Sequence, residues 1–146
     1  MYIVVVDTNV WYQALRNTNG ASHFILQLIY ERRLQVALSV SVLLEMEDVL
    51  LRPSSLADLN LMAEDIRRFL RFMTIVGIPQ KIYYRWRPNL PDEADNIFVE
   101  LAVASGSHFI VTNNIRDFTQ DAELRFENLK IVTSAQFVQE WRTQNE

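Results

Sequence analysis

Strand-like and helix-like segments alternate along this 146-residue chain, and the alternation predicts an α/β fold: a three-layer α/β/α sandwich around a mainly parallel central sheet of about five strands. Two further observations support that class. The opening run Tyr2-Ile3-Val4-Val5-Val6 is apolar at every position, as a strand buried on both faces must be. The chain is 49% hydrophobic with only three Gly and four Pro, which suits a filled core and excludes a disordered, linker-rich or collagen-like polymer. No repeat or low-complexity stretch interrupts it, so residues 1–146 are expected to form one domain. Right-handed crossovers are expected between its parallel strands.

The elements follow in order. Residues 2–6 are the first strand. Asp7, Thr8 and Asn9 are helix-capping types ahead of a helix over 10–15. Residues 17–20 read as a turn. Residues 22–32 read as a helix, with Phe24, Ile25, Leu28 and Ile29 at helical spacing. Residues 34–38 form a second strand. Ser39 or Ser41 caps a helix running to about Leu51, where Pro53 stops it. Residues 59–72 form an amphipathic helix with Arg67, Arg68 and Arg71 on or near one solvated face. A third strand is predicted at 74–76.

Residues 81–87 then alternate as an edge strand: Ile82, Tyr84 and Trp86 point one way, and Lys81, Tyr83, Arg85 and Arg87 the other. Pro91 and Asp92 open a helix over 93–105, which Gly106 ends. Residues 108–111 and 130–132 are the fourth and fifth strands. Ser134 caps a last helix through Trp141.

Composition narrows the function. With no Cys there is no disulfide framework, thiolate metal site or thiol nucleophile. The opening apolar run ends at Asp7, far short of a membrane span, and no basic segment precedes it. No targeting or membrane signal is read, and a cytoplasmic location is expected. The formal charge is −4, which argues against whole-molecule attraction to nucleic acid. Twelve of the fourteen basic residues are Arg, the better bidentate phosphate binder.

In open parallel sheets, sites form outside the carboxyl ends of the strands. Asp7 follows the first strand directly. Thr112, Asn113 and Asn114 follow the fourth, with Asp117 close behind. Glu45 lies in the helix that begins just after the second strand, and Asp92 and Asp95 open the helix that precedes the fourth. All are placed to converge on one sheet edge. Each also has a plain structural reading. Asp7 can be a helix cap, and Asp92 with Asp95 a cap and its reach-back acid. Glu45 can belong to a solvated patch with Glu47 and Asp48, and Asn114 and Asp117 can be turn residues. Their joint position is the argument for a site.

Crowded carboxylates repel one another and lose hydration in a cleft, and a divalent cation removes that repulsion. Oxygen-only ligands favour a hard ion, Mg²⁺ or Mn²⁺. An ion so held activates water and clamps phosphate oxygens, so phosphodiester hydrolysis is the chemistry such a site suits. His23, in an apolar helix, and His108, opening a buried strand, are not convincing alternatives.

The stretches Val4-Val5-Val6-Asp7-Thr8-Asn9-Val10, Glu45 within residues 41–50, Asp92-Glu93-Ala94-Asp95 within residues 92–102, and Ile110-Val111-Thr112-Asn113-Asn114-Ile115-Arg116-Asp117-Phe118 together resemble the PIN-domain family. The resemblance is strongest to its VapC-like toxins, and it runs in order over nearly the whole chain. It implies a metal-dependent endoribonuclease with an α/β/α sandwich. Asp7, Glu45 and Asp95 match the three acids that hold the metal, and Asp92 matches an acid that often precedes the third. The chain departs from the pattern at Asn114, where many members carry Asp. Other members carry Asn followed by an Arg-Asp/Glu-Phe sequence, the pattern here, so that either Asp117 substitutes for the fourth acid or a second metal is held weakly. Thr112 and Asn114 would order a metal-bound water, and Asn9 would brace the loop around Asp7. The resemblance also implies a homodimer and a cognate antitoxin protein.

RNA needs local positive charge whatever the net charge. Lys81, Arg85 and Arg87, interleaved with Tyr83, offer one candidate face; its plain reading is a solvated edge strand. Arg116, beside the proposed site, is the better single candidate. Setting aside Asp7, Glu45, Asp95 and Asp117 leaves 14 acids against 14 bases, so the acidic excess is assigned to the pocket.

A non-catalytic PIN-like module binding RNA or protein is the alternative, motivated by Asn114. Two other phosphoryl-transfer families fit less well. A haloacid-dehalogenase-type phosphatase would want Asp where Asn9 stands. A response-regulator receiver would want a Lys after its fifth strand, whereas Lys130 precedes it.

Overall fold

The computed structural model describes residues 1–82, 96–119 and 128–145, with only the backbone described at Asp117 and Thr119. The strands are β1 (Ile3–Val6), β2 (Gln35–Leu38), β3 (Ile78–Pro79), β4 (Phe109–Val111) and β5 (Lys130–Val132). They form a five-stranded sheet in the order β3-β2-β1-β4-β5, and every pairing is parallel. In β1, Val4, Val5 and Val6 are all buried. Successive strand side chains point to opposite faces, so both faces of the sheet are covered. That is why this strand carries no polar alternation.

The helices are α1 (Thr8–Arg16), α2 (Ala21–Tyr30), α3 (Val40–Leu50), α4 (Pro53–Leu59), α5 (Ala63–Val76), α6 (Asn96–Ser105), α7 (Ile115–Thr119) and α8 (Ser134–Asn145). Helix α6 packs on β1, β2 and β4, α2 packs against both α1 and α8, and α3 packs against α5. Trp11 of α1 is fully buried and meets the ring of Phe69 of α5 edge-on. Gly106 ends α6 with a φ of +65°, a left-handed conformation that glycine adopts without penalty.

Four expectations are corrected. Residues 74–76 are not a strand but the last turn of α5. The β-branched run misleads there because Ile66, Leu70 and Met73 continue a helical burial pattern while Ile75 is three-quarters exposed. The third strand lies just beyond, at Ile78–Pro79. Pro53 does not merely stop α3; it opens the unforeseen helix α4, because the first helical position needs no N–H. Leu59 closes α4 and does not open the amphipathic helix, which starts at Ala63, where the Met62 N–H donates to Asp65 Oδ2 at 2.9 Å. The cap of α8 is Thr133, not Ser134. The Gln136 N–H donates to Thr133 Oγ1 at 3.1 Å, and the Thr133 N–H donates to Gln136 Oε1 at 2.9 Å.

Of the alternating segment 81–87, Lys81 and Ile82 lie in irregular chain after β3, and the remainder is outside the described residues.

Candidate functional site

From β1 the chain passes by way of α1 and α2 to β2 on one side, while β4 pairs on its other side. The crevice between β1 and β4 at their carboxyl ends is therefore the topological switch point, where open α/β sheets place their sites. The strand registers say what stands there. Val6 is opposite Val111, Val111 opposite Val132, and Leu38 opposite Pro79, while Val4 is opposite Val36. One step further along, Gln80, Ser39, Asp7, Thr112 and Thr133 fall in one row across all five strands. Backbone hydrogen bonds continue the ladder into that row: Asp7 N–H to Val111 O and Thr112 N–H to Val132 O, both at 2.9 Å, and Gln80 N–H to Leu38 O at 2.8 Å. Each strand thus ends by handing the chain to a polar side chain at the same height. Every one of the five residues is legible in the sequence as the first polar position after an apolar run, but only pairing aligns them.

Asp7 is 7% exposed and Thr112 is fully buried. The Thr112 hydroxyl donates to Asp7 Oδ2 at 2.8 Å and accepts the Asn114 N–H at 3.0 Å. With an acceptor role fixed on one side, its proton is directed to the carboxylate. Asp7 occupies the N-cap position of α1, yet its side chain makes no cap hydrogen bond. Of the two readings the sequence left open, a carboxylate spent on capping α1 is thereby removed. Asn9 Oδ1 accepts the Asn113 N–H at 3.3 Å, tying the start of α1 to the loop after β4.

A buried hydroxyl pair supports that loop from behind. Ser22 Oγ of α2 and Ser134 Oγ of α8 lie 2.8 Å apart, and Ser134 Oγ reaches Asn113 Oδ1 at 3.5 Å. In the sequence Ser22 reads only as the start of a helix, Asn113 only as one of three polar residues after the fourth strand, and Ser134 as a cap. Its signal was the small polar pair Thr133-Ser134 after β5, of which Thr133 does the capping and Ser134 faces inward.

Glu45 is half-buried on α3, beside the buried Val42 and Met46. Ser39 caps that helix, its hydroxyl accepting the Val42 N–H at 3.2 Å. The rise of a helix places Glu45 about 8 Å along α3 from its start at the sheet edge. Its acidic neighbours are different: Glu47 and Asp48 are exposed, and Asp48 is paired with Arg52 at 2.8 Å. Arg116 is exposed on α7, whose backbone also carries Asp117, and the Asn114 side chain is exposed. Lys81 is exposed just past β3. Asp92, Asp95, Arg85 and Arg87 lie outside the described residues.

Among the described residues no three His, Cys, Asp or Glu side chains are gathered as a metal cage. What the described residues do offer a hard ion is the donor chemistry it needs: carboxylate oxygen at Asp7, oriented by a hydroxyl, with Glu45 on a neighbouring element. The histidines serve the fold. His108 Nδ1 accepts the Ile3 N–H at 3.1 Å, and His23 Nδ1 lies 3.0 Å from the Ala14 carbonyl.

Comparison with known proteins agrees with this architecture. The family model of the PIN domain matches residues 3–116. An uncharacterized protein of Methanocaldococcus jannaschii is 30% identical over 147 residues, covering 94% of this chain and 90% of its own. Among solved structures, a chain of VapBC2 from Rickettsia felis, crystallised bound to a DNA fragment from their promoter, matches with a TM-score of 0.60 at 17% identity. The match covers 90% of this chain and 98% of that one, and at such identity the likeness is one of fold.

Proposed function

The chain belongs to the PIN domain family, and on that premise we propose that it is a Mg²⁺- or Mn²⁺-dependent endoribonuclease, the toxin of a toxin–antitoxin pair. The observation that carries the reading is the buried Asp7 carboxylate, held by Thr112 at the switch point of the sheet. In this proposal the whole chain is one PIN domain. Asp7, Glu45 and Asp95 hold the metal, Asp92 stands beside them, and Asp117 replaces the acid absent at Asn114.

A hard ion bound there supplies an acidified water and neutralises the charge on a phosphate. The chain's own residues do the rest. Thr112 fixes the orientation of one Asp7 oxygen, so the carboxylate needs no reorganisation when it takes up its ligand. Asn9 and Asn113 keep the two loops at a set separation, and Asn114 directs the Thr112 proton. Arg116, with Lys81, Arg85 and Arg87, contacts RNA phosphates from the rim, which is how an acidic chain holds a polyanion locally.

A cognate antitoxin and a homodimer complete the proposal; the fold neighbour's origin in a VapBC2 assembly supports the antitoxin. A cytoplasmic location is part of the proposal; no helix of the described residues is long and apolar enough to cross a membrane.

The test is direct. Purified protein with Mn²⁺ should cut unstructured RNA, and Asp7→Asn should lose that cleavage while keeping its fold. Mn²⁺ at about a hundredfold excess over its Kd should stabilise the wild type by about 2.7 kcal/mol. Equal cleavage by Asp7→Asn would overturn the assignment. A second reading, a non-catalytic RNA- or protein-binding module, rests on Asn114; saturable RNA binding with no stabilisation by millimolar Mn²⁺ or Mg²⁺ would favour it.

A further inference from the structure

One strand away from Asp7 in the polar row stands Ser39, and two strands away stands Gln80, roughly 5 and 10 Å along the row. Above them, between the start of α3, the chain leaving β3 and the flank of α6, lies a cavity of about 490 Å³. Its walls combine three kinds of group. Ile82 and Ile97 are apolar and half-buried. Ser41 and Lys81 are polar, exposed and stand at the mouth, and Gln80 is polar and half-buried. Glu100 is only 9% exposed and also lines the cavity.

Glu100 has no place in the mechanism above. It interrupts an otherwise apolar helix, in which Phe98, Val99, Leu101 and Ala102 are all buried. Burying a carboxylate costs free energy unless it is hydrogen-bonded. Glu100 does have an interaction within the chain. Its two oxygens offer about four acceptor sites. An acceptor-only group, apolar walls and a cationic rim define the ligand: a flat group with clustered N–H donors, attached to an anion. A basic protein side chain would also suit Glu100, but the Lys81 ammonium at the mouth opposes it.

Resting on the ribonuclease reading, we propose that this cavity seats one unpaired guanine base of the RNA, with the Glu100 carboxylate accepting its N1–H and exocyclic amino donors. Guanine presents two adjacent donors on its Watson–Crick edge, the edge that single-stranded RNA exposes to proteins. Adenine and cytosine pair one amino donor with a ring acceptor, and uracil flanks its single N–H with two carbonyls. Each would set a lone pair against the carboxylate. Ile82 and Ile97 flank the base, and Lys81 meets its phosphate.

The experiment is a binding series on the full-length wild type, followed by NMR, with GMP, IMP, AMP, CMP and UMP. GMP should bind about tenfold more tightly than UMP, and IMP, which lacks the exocyclic amino group, should fall between them. Glu100→Gln should lose most of the difference between GMP and UMP. Equal affinities across the wild-type series, which need no variant to fold, overturn the proposal. So does a GMP preference that survives in folded Glu100→Gln, and so does saturable binding of argininamide in place of GMP. Cleavage is scored separately: metal-dependent cutting without guanine preference overturns the cavity assignment alone, whereas GMP preference without cutting overturns the ribonuclease reading and leaves the cavity standing.

Discussion

Thr112 and Asp7, 105 positions apart in sequence, are joined by a 2.8 Å hydrogen bond from a fully buried hydroxyl to a nearly buried carboxylate. Strand pairing makes the contact, because each residue is the first beyond the paired segments of β1 and β4. Bonds to charged groups contribute about 1.5–3 kcal/mol, so Thr112→Val should destabilise the protein by about that much. Thr112→Ser, which keeps the hydroxyl, should lose less. Urea unfolding with metal-free protein measures both. A larger loss for Thr112→Ser than for Thr112→Val would show that the methyl group, not the hydroxyl, matters at this position.

The Ser22–Ser134 pair joins α2 to α8 beneath the Asn113 loop at 2.8 Å. Ser134→Ala removes the partner of the buried Ser22 hydroxyl, at a cost of about 1–3 kcal/mol, whereas Ser22→Ala should cost less, because the Ser134 hydroxyl keeps its contact to Asn113 Oδ1. The double variant Ser22→Ala with Ser134→Ala should cost clearly less than the sum of the singles, because it removes both polar groups together. A double-mutant cycle by thermal unfolding reads the coupling; strict additivity would mean that the pair is not a unit.

Two glycines are needed for opposite reasons. At Gly77 the backbone is ordinary, with φ of −70°, but a Cβ would come within 2.5 Å of Leu38 Cδ1 and 2.8 Å of the Met73 carbonyl oxygen. Gly77→Ala must displace backbone, and a loss of about 1–3 kcal/mol is expected. At Gly106 nothing lies within 4 Å, and only the φ of +65° opposes a side chain. Gly106→Ala should cost about 1 kcal/mol, and Gly106→Asn less, since Asn tolerates that conformation. Should Gly77→Ala prove harmless, the close packing of α5 against β2 is looser than described.

Tyr12 carries the pH dependence. Its phenol donates to Asp58 Oδ2 at 2.5 Å, and Arg16 lies 3.7 Å from the same carboxylate. The hydrogen bond to Asp58, then burial, then the charge of Asp58 raise the Tyr12 hydroxyl above its ordinary 10.0, while Arg16 acts the other way. Folding therefore favours the protonated phenol. That contribution to stability is fully present below pH 10 and is lost as the pH rises through the higher, folded value. Phenolate absorbance should show one tyrosine titrating later in the wild type than in Asp58→Asn. Superimposable titrations would dismiss the hydrogen bond as the cause.

Much of this was legible in the residues. The unbroken apolar run ahead of Asp7 implied a two-sided strand, and β1 is one. Ser39 was one of two named caps for α3, and it is the one used. The errors came where local signals are ambiguous. Thr74, Ile75 and Val76 have strand-forming side chains, yet they complete a helix whose buried stripe starts eight residues before Thr74, at Ile66. Proline stops helices and also starts them, so Pro53 could not reveal α4 by itself.

The sequence by itself determined the fold class, the order of the strands along the chain, and which acids follow them, because burial and period are written locally in side-chain type. It could not determine the lateral order β3-β2-β1-β4-β5 or the registers, since those depend on contacts between residues far apart. Only the tertiary structure decided that Asp7 is held by Thr112 and does not cap α1, that Ser22 and Ser134 meet, and that Glu100 lines a cavity beside the row. A carboxylate's role is set by what surrounds it, and parallel pairing brings together neighbours that no local window contains.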